Sequence, residues 1–592
     1  MLSPRRLSSG LVRPVCTGTV ALWLGVAASG AAIAEAPMFI DRSADAGLRF
    51  DHRNGRSGQW FFPEIYGAGA ALFDYDGDGD LDVYLVQGGS LDRSSDDAEA
   101  PRDRLLRNDL DRPGALPRLI DVTTASRIDA RGYGMAVTAA DFDADGHVDL
   151  YVGNLGPNQL WRNRGDGTFE DVTERWNADD RRWSAALSVA DFDRDGHLDL
   201  FVGNYVRWSV AGHRPCRVTA TGQSDYCHPS VFPAEKDLLL RNLGDRFVDI
   251  SAEALPERGA FPALGAVTAD LDGDGWSDLY VAHDEQPNQL WKNLGDGSKG
   301  PRFVDDALLA GVAVNGKGQA EASMGVDAAD VDADGDLDLF MTHFDGQTNT
   351  LFVGTGGFFR DDTARRGRAT SSLAATGFGT LFVDVDLDGD LDLFSMNGAV
   401  RVLEALARAD DPTPFHQPDQ LWLNDGSGHF VDRSTDAGSG FVVSEVSRGA
   451  AVGDLDNDGD PDLLVTRNGG PARMLINTTN DGGSNRPWIG LHLRTAGRVA
   501  DRHRDALGAV AWLERPKAEP RRARSRVDGG FASSHDPRIV YGLGASAHAT
   551  VCVRWADGRS ERFPRPERDR YTPLVQGEGT PTCHPEPSRS AS

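Results

Sequence analysis

Seven nine-residue stretches of the form D-x-D-x-D-G-x-x-D carry the densest set of potential ligand groups in the chain. Their residues at positions 1, 3, 5, 7 and 9 are Asp74, Asp76, Asp78, Asp80 and Asp82; Asp141, Asp143, Asp145, His147 and Asp149; Asp191, Asp193, Asp195, His197 and Asp199; Asp270, Asp272, Asp274, Trp276 and Asp278; Asp330, Asp332, Asp334, Asp336 and Asp338; Asp384, Asp386, Asp388, Asp390 and Asp392; Asp454, Asp456, Asp458, Asp460 and Asp462. In a tight loop the side chains at 1, 3 and 5 converge on one point, and an all-oxygen ligand set suits a hard cation such as calcium. Position 7 would add its backbone carbonyl and position 9 its carboxylate. Position 6 is Gly in every copy, as a sharp turn with positive φ requires. Four or five carboxylates so close together repel one another unless a cation joins them. The repeat itself is expected to hold no other partner of matching charge, so the reading is up to seven structural calcium ions.

The elements that position these loops repeat as well. Each loop runs into a strand-forming phrase such as Asp82-Val83-Tyr84-Leu85-Val86, where an EF-hand would continue into a helix. Small residues stand seven and five places before each loop: Gly67 and Gly69, Gly134 and Ala136, Ser184 and Ala186, Ala263 and Gly265, Ser323 and Gly325, Gly377 and Gly379, Ser447 and Gly449. On a period-two strand each pair shares one face. Small side chains there suit the innermost strands of sheets crowded around one axis. Downstream come a third strand, as in Gln159-Leu160-Trp161-Arg162-Asn163, and a fourth, Phe169-Glu170-Asp171-Val172-Thr173. After the seventh loop the fourth strand is missing, and Phe39-Ile40-Asp41-Arg42-Ser43 at the other end supplies it. The expectation is an all-β chain: a seven-bladed β-propeller of four-stranded blades over residues 38–480, closed by its N-terminal strand, with insertions near 88–103, 205–235 and 398–418.

These repeats resemble the FG-GAP or VCBS repeats of integrin α-chain propellers and of many exported bacterial proteins. The phrases Leu507-Gly508-Ala509-Val510, Gly530-Phe531-Ala532-Ser533-Ser534, Tyr541-Gly542-Leu543-Gly544 and Val551-Cys552-Val553-Arg554-Trp555-Ala556-Asp557-Gly558 are similar to the ASPIC/UnbV domain of the cartilage acidic protein family. The resemblance implies a small β-rich domain over 487–576, followed by a tail at 577–592. It also implies a secreted or periplasmic calcium-binding protein used in adhesion, matrix contact or assembly, and no single molecular activity. Ser277 and Pro461 replace the usual apolar residue at position 8 of the fourth and seventh loops.

Export is also read directly from the N-terminus, where Arg5, Arg6 and Arg13 precede an apolar run and the small-residue pattern Ala32-Ile33-Ala34. Residues 1–34 are expected to be a cleaved signal peptide, with no membrane-spanning segment after it. Of the five cysteines Cys16 lies in that leader, leaving Cys216, Cys227, Cys552 and Cys583 for two bridges. Local pairing is preferred, although four cysteines allow three arrangements. The net charge is −29, and the seven loops hold 32 Asp between them, so the remainder is near neutral and nucleic acid is not an expected partner.

On the face opposite the loops, the residue five places past each loop is polar: Gln87, Asn154, Asn204, His283, His343, Asn397 and Arg467. With Glu64 these form the candidate ligand face for a protein or glycan. A rival reading makes this an exported propeller enzyme for biosynthetic tailoring or hydrolysis, with His283 and His343, near Glu64 and Glu321, acting as acid and base or holding a catalytic metal. Ser533, Ser534 and His535 lack a nucleophile elbow. The run Arg521, Arg522, Arg524 and Arg526 reads as the exposed side of a strand.

Overall fold

The computed structural model describes residues 38–91, 101–256, 259–295, 300–367, 371–480, 486–497, 502–515, 519–544, 546, 549–581 and 583. The expected signal peptide lies outside them. Between Phe39 and Asn477 the described residues form seven four-stranded antiparallel sheets. The second is typical, with strands Gly134–Ala140, Asp149–Asn154, Gln159–Asn163 and Phe169–Asp171 in chain order. In each sheet the Asp loop joins the first strand to the second. The second strands are buried on both faces, because each sheet is packed between two others, and they therefore read as apolar runs rather than alternating ones.

First strands of the first to sixth sheets lie side by side in order, Gly379 N donates to Arg448 O across the sixth and seventh, and the first and last, Ala70–Phe73 and Ser447–Gly453, also touch. The ring is thus closed and propeller-like. Its seventh sheet takes its outer strand from Phe39–Asp41, which pairs antiparallel with Arg473–Asn477. Phe39 is fully buried there against Phe441.

Small residues on the first strands have two causes. A register shift falls at Gly134/Ala136, Ser184/Ala186 and Ala263/Gly265, so these pairs sit on β-bulges rather than on a plain period-two face. Neighbouring backbone also approaches closely: a Cβ on Gly265 would lie 2.2 Å from Met324 O, and one on Gly325 2.1 Å from Phe378 O.

Strands from Trp488 to Val575 build two further four-stranded sheets around a shared core that includes Ile489, Leu513, Val551 and Leu574. This region packs on the Asp-loop side of the ring. From it the segment 528–536 enters the ring axis, where Gly530 and Val326 exchange backbone hydrogen bonds and Ser534 does the same with Ala70 and Leu72. Val137 N donates to Ala532 O, and Val452 N donates to Nδ1 of His535. The two bridges are Cys216–Cys227 and Cys552–Cys583, the local pairing.

Candidate metal loops and the opposite face

All seven loops have one hydrogen-bond plan, which follows from their spacing. The position-1 carboxylate accepts the N–H of the position-6 Gly at 2.8–3.1 Å. Those glycines have φ between +87° and +97°, a region closed to side chains without strain. The position-5 carboxylate accepts the N–H of position 7, as Asp145 does from His147. At position 9 both carboxylate oxygens are engaged. Asp149 takes Phe142 N at 3.0 Å and Asn163 N at 2.8 Å, so it ties the start of the loop to the end of the third strand.

Carboxylate oxygens from at least three Asp side chains then lie within 4.8 Å of one another in loops such as Asp74, Asp76 and Asp78, or Asp330, Asp332 and Asp338. Asp270 Oδ1, Asp330 Oδ1, Asp332 Oδ1 and Asp384 Oδ1 are buried without a hydrogen-bond partner. Burial first, and then the neighbouring Asp388 and Asp386, push the Asp384 carboxyl up to about 8. Asp330 is pushed up to about 7 for the same reasons. Orphaned anionic oxygens at this density fit a hard divalent cation. Two position-7 side chains meet arginines: His147 meets Arg502, and Trp276 lies under the Arg194 guanidinium at 3.7 Å.

Three sequence expectations are corrected here. First, the repeat does hold matching charge. Arg162 on the third strand pairs with Asp143 and, at 2.7 Å, with Asp145; Arg241 reaches Asp193 at 2.6 Å, and Lys292 pairs with Asp272. Second, the run Arg521 to Arg526 is not a solvated strand face. Arg521 pairs with Asp390, Arg522 donates to Gly335 O at 3.1 Å, and Arg526 pairs with the buried Asp327 at 2.5 Å. The appended domain also sets Arg554 on Asp270 at 2.5 Å and Arg504 on Gly196 O at 2.5 Å. Arginine-rich edges thus lie over the acidic loops of the ring.

Third, the polar residues proposed as an open ligand face are mostly buried and engaged locally. Asn154 donates to Pro157 O at 2.7 Å, Asn204 to Asp180, and Asn397 to Pro418 O at 2.8 Å. Nδ1 of His283 lies 3.0 Å from Pro287 O, and that of His343 lies 3.0 Å from Thr348 O. Gln87 Oε1 accepts Arg53 N at 2.7 Å, and Arg467 pairs with Glu445. Asn154, His283 and His343 satisfy the backbone of the turn that follows their strand, while Gln87, Asn204, Asn397 and Arg467 bond to other segments of the chain. Burial pushes the His283 imidazole down to about 4, which does not suit a general base at neutral pH. Glu64 differs. It borders a cavity of about 540 Å³ roofed by the segments 54–65, 226 and 412–416.

One recurring residue escaped the sequence reading. The Asn that ends the third strand donates its side-chain N–H to the position-2 carbonyl of the preceding sheet's loop: Asn163 to Tyr75 O, Asn242 to Phe142 O, Asn293 to Phe192 O, Asn424 to Val331 O, Asn477 to Val385 O and Asn108 to Leu455 O, at 2.8–3.0 Å. The last of these links the first sheet to the seventh loop, so the relay runs across the closure of the ring. In the fifth sheet Gly354 occupies the position. The repeated phrase Leu-Trp-x-Asn was the available signal.

Comparison with known families gives matches to the FG-GAP-like repeat at residues 74–152, 141–202, 270–341 and 406–465, and to the family described as ASPIC and UnbV at 499–581. Cartilage acidic protein 1 of Xenopus tropicalis is 27% identical over 306 residues, which is 50% of this chain and 42% of that protein. The Homo sapiens protein is 28% identical over 297 residues, 48% of this chain and 39% of its own length. Each match therefore spans about two fifths of the relative. Solved structures with some likeness include an Agrocybe aegerita lectin that recognises non-reducing terminal N-acetylglucosamine, at 18% identity and a TM-score of 0.34, covering 71% of this chain and 93% of the lectin. Rhamnogalacturonan lyase YesW matches at 11% identity and a TM-score of 0.29, covering 73% of this chain and 91% of the lyase. The chain thus carries FG-GAP-like repeats followed by an ASPIC and UnbV region, and it is related to cartilage acidic protein 1.

Proposed function

We propose that the chain is an exported, calcium-binding scaffold that presents a binding surface for adhesion or assembly. In this reading residues 1–34 are a cleaved signal, 38–480 a seven-bladed ring, 487–576 its appended domain and 577–592 a tail. The observation that carries it is the set of buried, unpartnered carboxylate oxygens at Asp270, Asp330, Asp332 and Asp384, each inside a cluster of convergent Asp side chains. An oxygen-only ligand set with a rigid Gly turn suits calcium better than a softer metal. The metal would hold the first strand of each sheet to its second and leave the far face of the ring for ligands.

At the ~10⁻⁴ to 10⁻³ M affinity typical of extracellular calcium modules, ~1 mM calcium stabilises each site by about 0.4 to 1.4 kcal/mol. Third-strand and appended-domain cations supply part of the counter-charge, so the smaller figure is expected at the loops of Asp143, Asp193 and Asp270. The test is a thermal melt of metal-stripped protein with calcium, with magnesium and with chelator. Calcium should raise the melting temperature and magnesium should do so poorly. Identical curves in all three would mean that the loops are turns without a metal role.

A further inference from the structure

The seventh loop, Asp454 to Asp462, lacks a counter-charge that others have. Just before the closing Asn of the third strand, the second, third and fourth sheets place Arg162, Arg241 and Lys292, each paired with a loop carboxylate, whereas the seventh places Ile476. The hydrogen-bond plan is otherwise the common one. Asp458 N donates to Asp454 Oδ1 at 3.0 Å and to Asp456 Oδ1 at 3.2 Å, which brings these two oxygens together, and Gly459 N donates to Asp454 Oδ2 at 2.8 Å. Asp454, Asp456, Asp460 and Asp462 are each at most 6% exposed. Asp460 Oδ2 accepts Asn480 N at 2.8 Å, but among the described residues its buried Oδ1 has no hydrogen-bond partner, and Asp458, Asp454 and Asp456 are its charged neighbours. Burying this many carboxylates is costly unless a cation joins them.

The cover over this loop comes from the appended domain. Trp488 heads the strand Trp488–Ala496, and a Cβ on Gly459 would fall 1.9 Å from its Cε2, so the indole rests directly on the turn glycine. Tyr571 meets Trp488 edge to face at 5.3 Å and donates its hydroxyl to Asp454 Oδ2 at 2.8 Å. Arg538 lies 4.1 Å from the Tyr571 ring centroid and donates to Asp454 O at 3.1 Å and to Asn457 Oδ1 at 2.8 Å. Its own charge is matched by Asp536 at 2.9 Å, so it braces the cover more than it neutralises the loop. The first loop stands in contrast. Asp76 and Asp78 are exposed, and a Cβ on Gly79 would meet nothing within 4 Å among the described residues.

We propose that the seventh loop is an occluded cation site, with Trp488 and Tyr571 of the appended domain as a lid that traps the ion, while ions in open loops such as the first exchange freely with solvent. The inference rests on the calcium reading of the loops and adds to it a role for the appended domain, which is retention of one ion. A buried ion leaves only through a local opening, so its release is slowed by the small population of the open form. Tyr571 is a positioning residue: its hydroxyl holds one oxygen of the position-1 carboxylate, and loss of such an outer contact typically costs ~10- to 100-fold in metal affinity. Closure and occupancy support each other, because the ion offsets the charge that the lid buries.

The test is a chelator chase of the full mature chain after prolonged equilibration with radiolabelled calcium, reading the label retained against time. One equivalent should leave at least tenfold more slowly than the ions of the open loops. Asp456→Asn should abolish this slow phase, and Asp76→Asn should remove a fast ion and leave the slow one. Tyr571→Phe keeps the ring and removes only the hydroxyl; it should hasten the slow phase about tenfold with the fast phases unchanged, and it carries the test should Asp456→Asn fail to fold. Release of all bound calcium in one phase, a slow ion unchanged by Asp456→Asn, or a slow phase in Tyr571→Phe equal to the parent's would overturn the lid and leave the metal reading standing. A chain that holds no calcium as purified and takes up none would overturn the metal reading itself.

Discussion

Asp528 is the side chain on which the contact between the appended domain and the ring axis is most exposed to test. It is buried, and its Oδ2 accepts Thr268 N at 2.8 Å, Thr268 Oγ1 at 2.7 Å and the Ser188 hydroxyl, while Arg524 lies 3.4 Å from Oδ1. One carboxylate thus receives donors from the first strands of the third and fourth sheets. Asp528→Ala removes the acceptor and leaves three buried donors and one buried cation poorly matched. At ~1 to 3 kcal/mol for each unsatisfied group, discounted because water and small shifts recover part of it, the cost is about 3 to 6 kcal/mol. Pro37–Ser592 forms one compact unit of roughly 550 residues. With an unfolding entropy near ~2 cal/mol/K per residue, about 1 kcal/mol shifts the melting temperature by about 1 °C. Calorimetry should therefore show a fall of about 3 to 6 °C, and Asp528→Asn, which keeps an acceptor, should fall less. A melting temperature for Asp528→Ala within error of the parent would refute the claim that this carboxylate ties the domain to the ring.

Deleting residues 38–46 should open the seventh sheet, because Phe39 alone contributes about 2 to 3 kcal/mol of burial and Asp41 to Phe39 supply one edge of the ladder; an unchanged melt would argue against closure by this strand. Asn293→Ala strips the inter-sheet bond to Phe192 O and the bonds to Ser277 O and Gly295 N, and should cost about 1 to 3 kcal/mol in denaturant unfolding, whereas Gly354, which lacks the side chain, has no such bond to lose. Burial holds His535 at about 3 and His283 at about 4, both below the ordinary histidine value. Their contribution is complete above about pH 6.5 and is lost as pH falls, because the unfolded chain takes up a proton that the folded one refuses, at about 1.4 kcal/mol per pH unit for each group. His535→Gln should flatten the stability profile between pH 6.5 and 4.5, and a slope identical to the parent would show that this histidine is not held neutral.

By itself the sequence determined what is local and periodic. Spacing in D-x-D-x-D-G-x-x-D dictates the carboxylate cluster and the Gly turn, since both arise within nine residues whose backbone can close in one way. Repetition of the flanking phrases carried the four-stranded sheets, and the orphan phrase at Phe39 revealed its partner at Arg473–Asn477, because a missing strand in one repeat must be supplied by another. Cysteine proximity in sequence likewise suggested the pairings seen. What only the tertiary structure decided is which side chains from distant repeats meet. Arg526 and Asp327 belong to different regions, as do Arg554 and Asp270, and no period in the chain encodes their contact. His283 and Asn204 looked exposed because a polar residue at a strand end reads as solvated, yet the following turn claims the hydrogen bond of His283 and the segment before the first strand claims that of Asn204. Trp60, Tyr226 and Phe415 lie in three irregular segments, where periodicity carries no signal, and the closed ring brings them together because its strands carry distant parts of the chain to the same end of its axis.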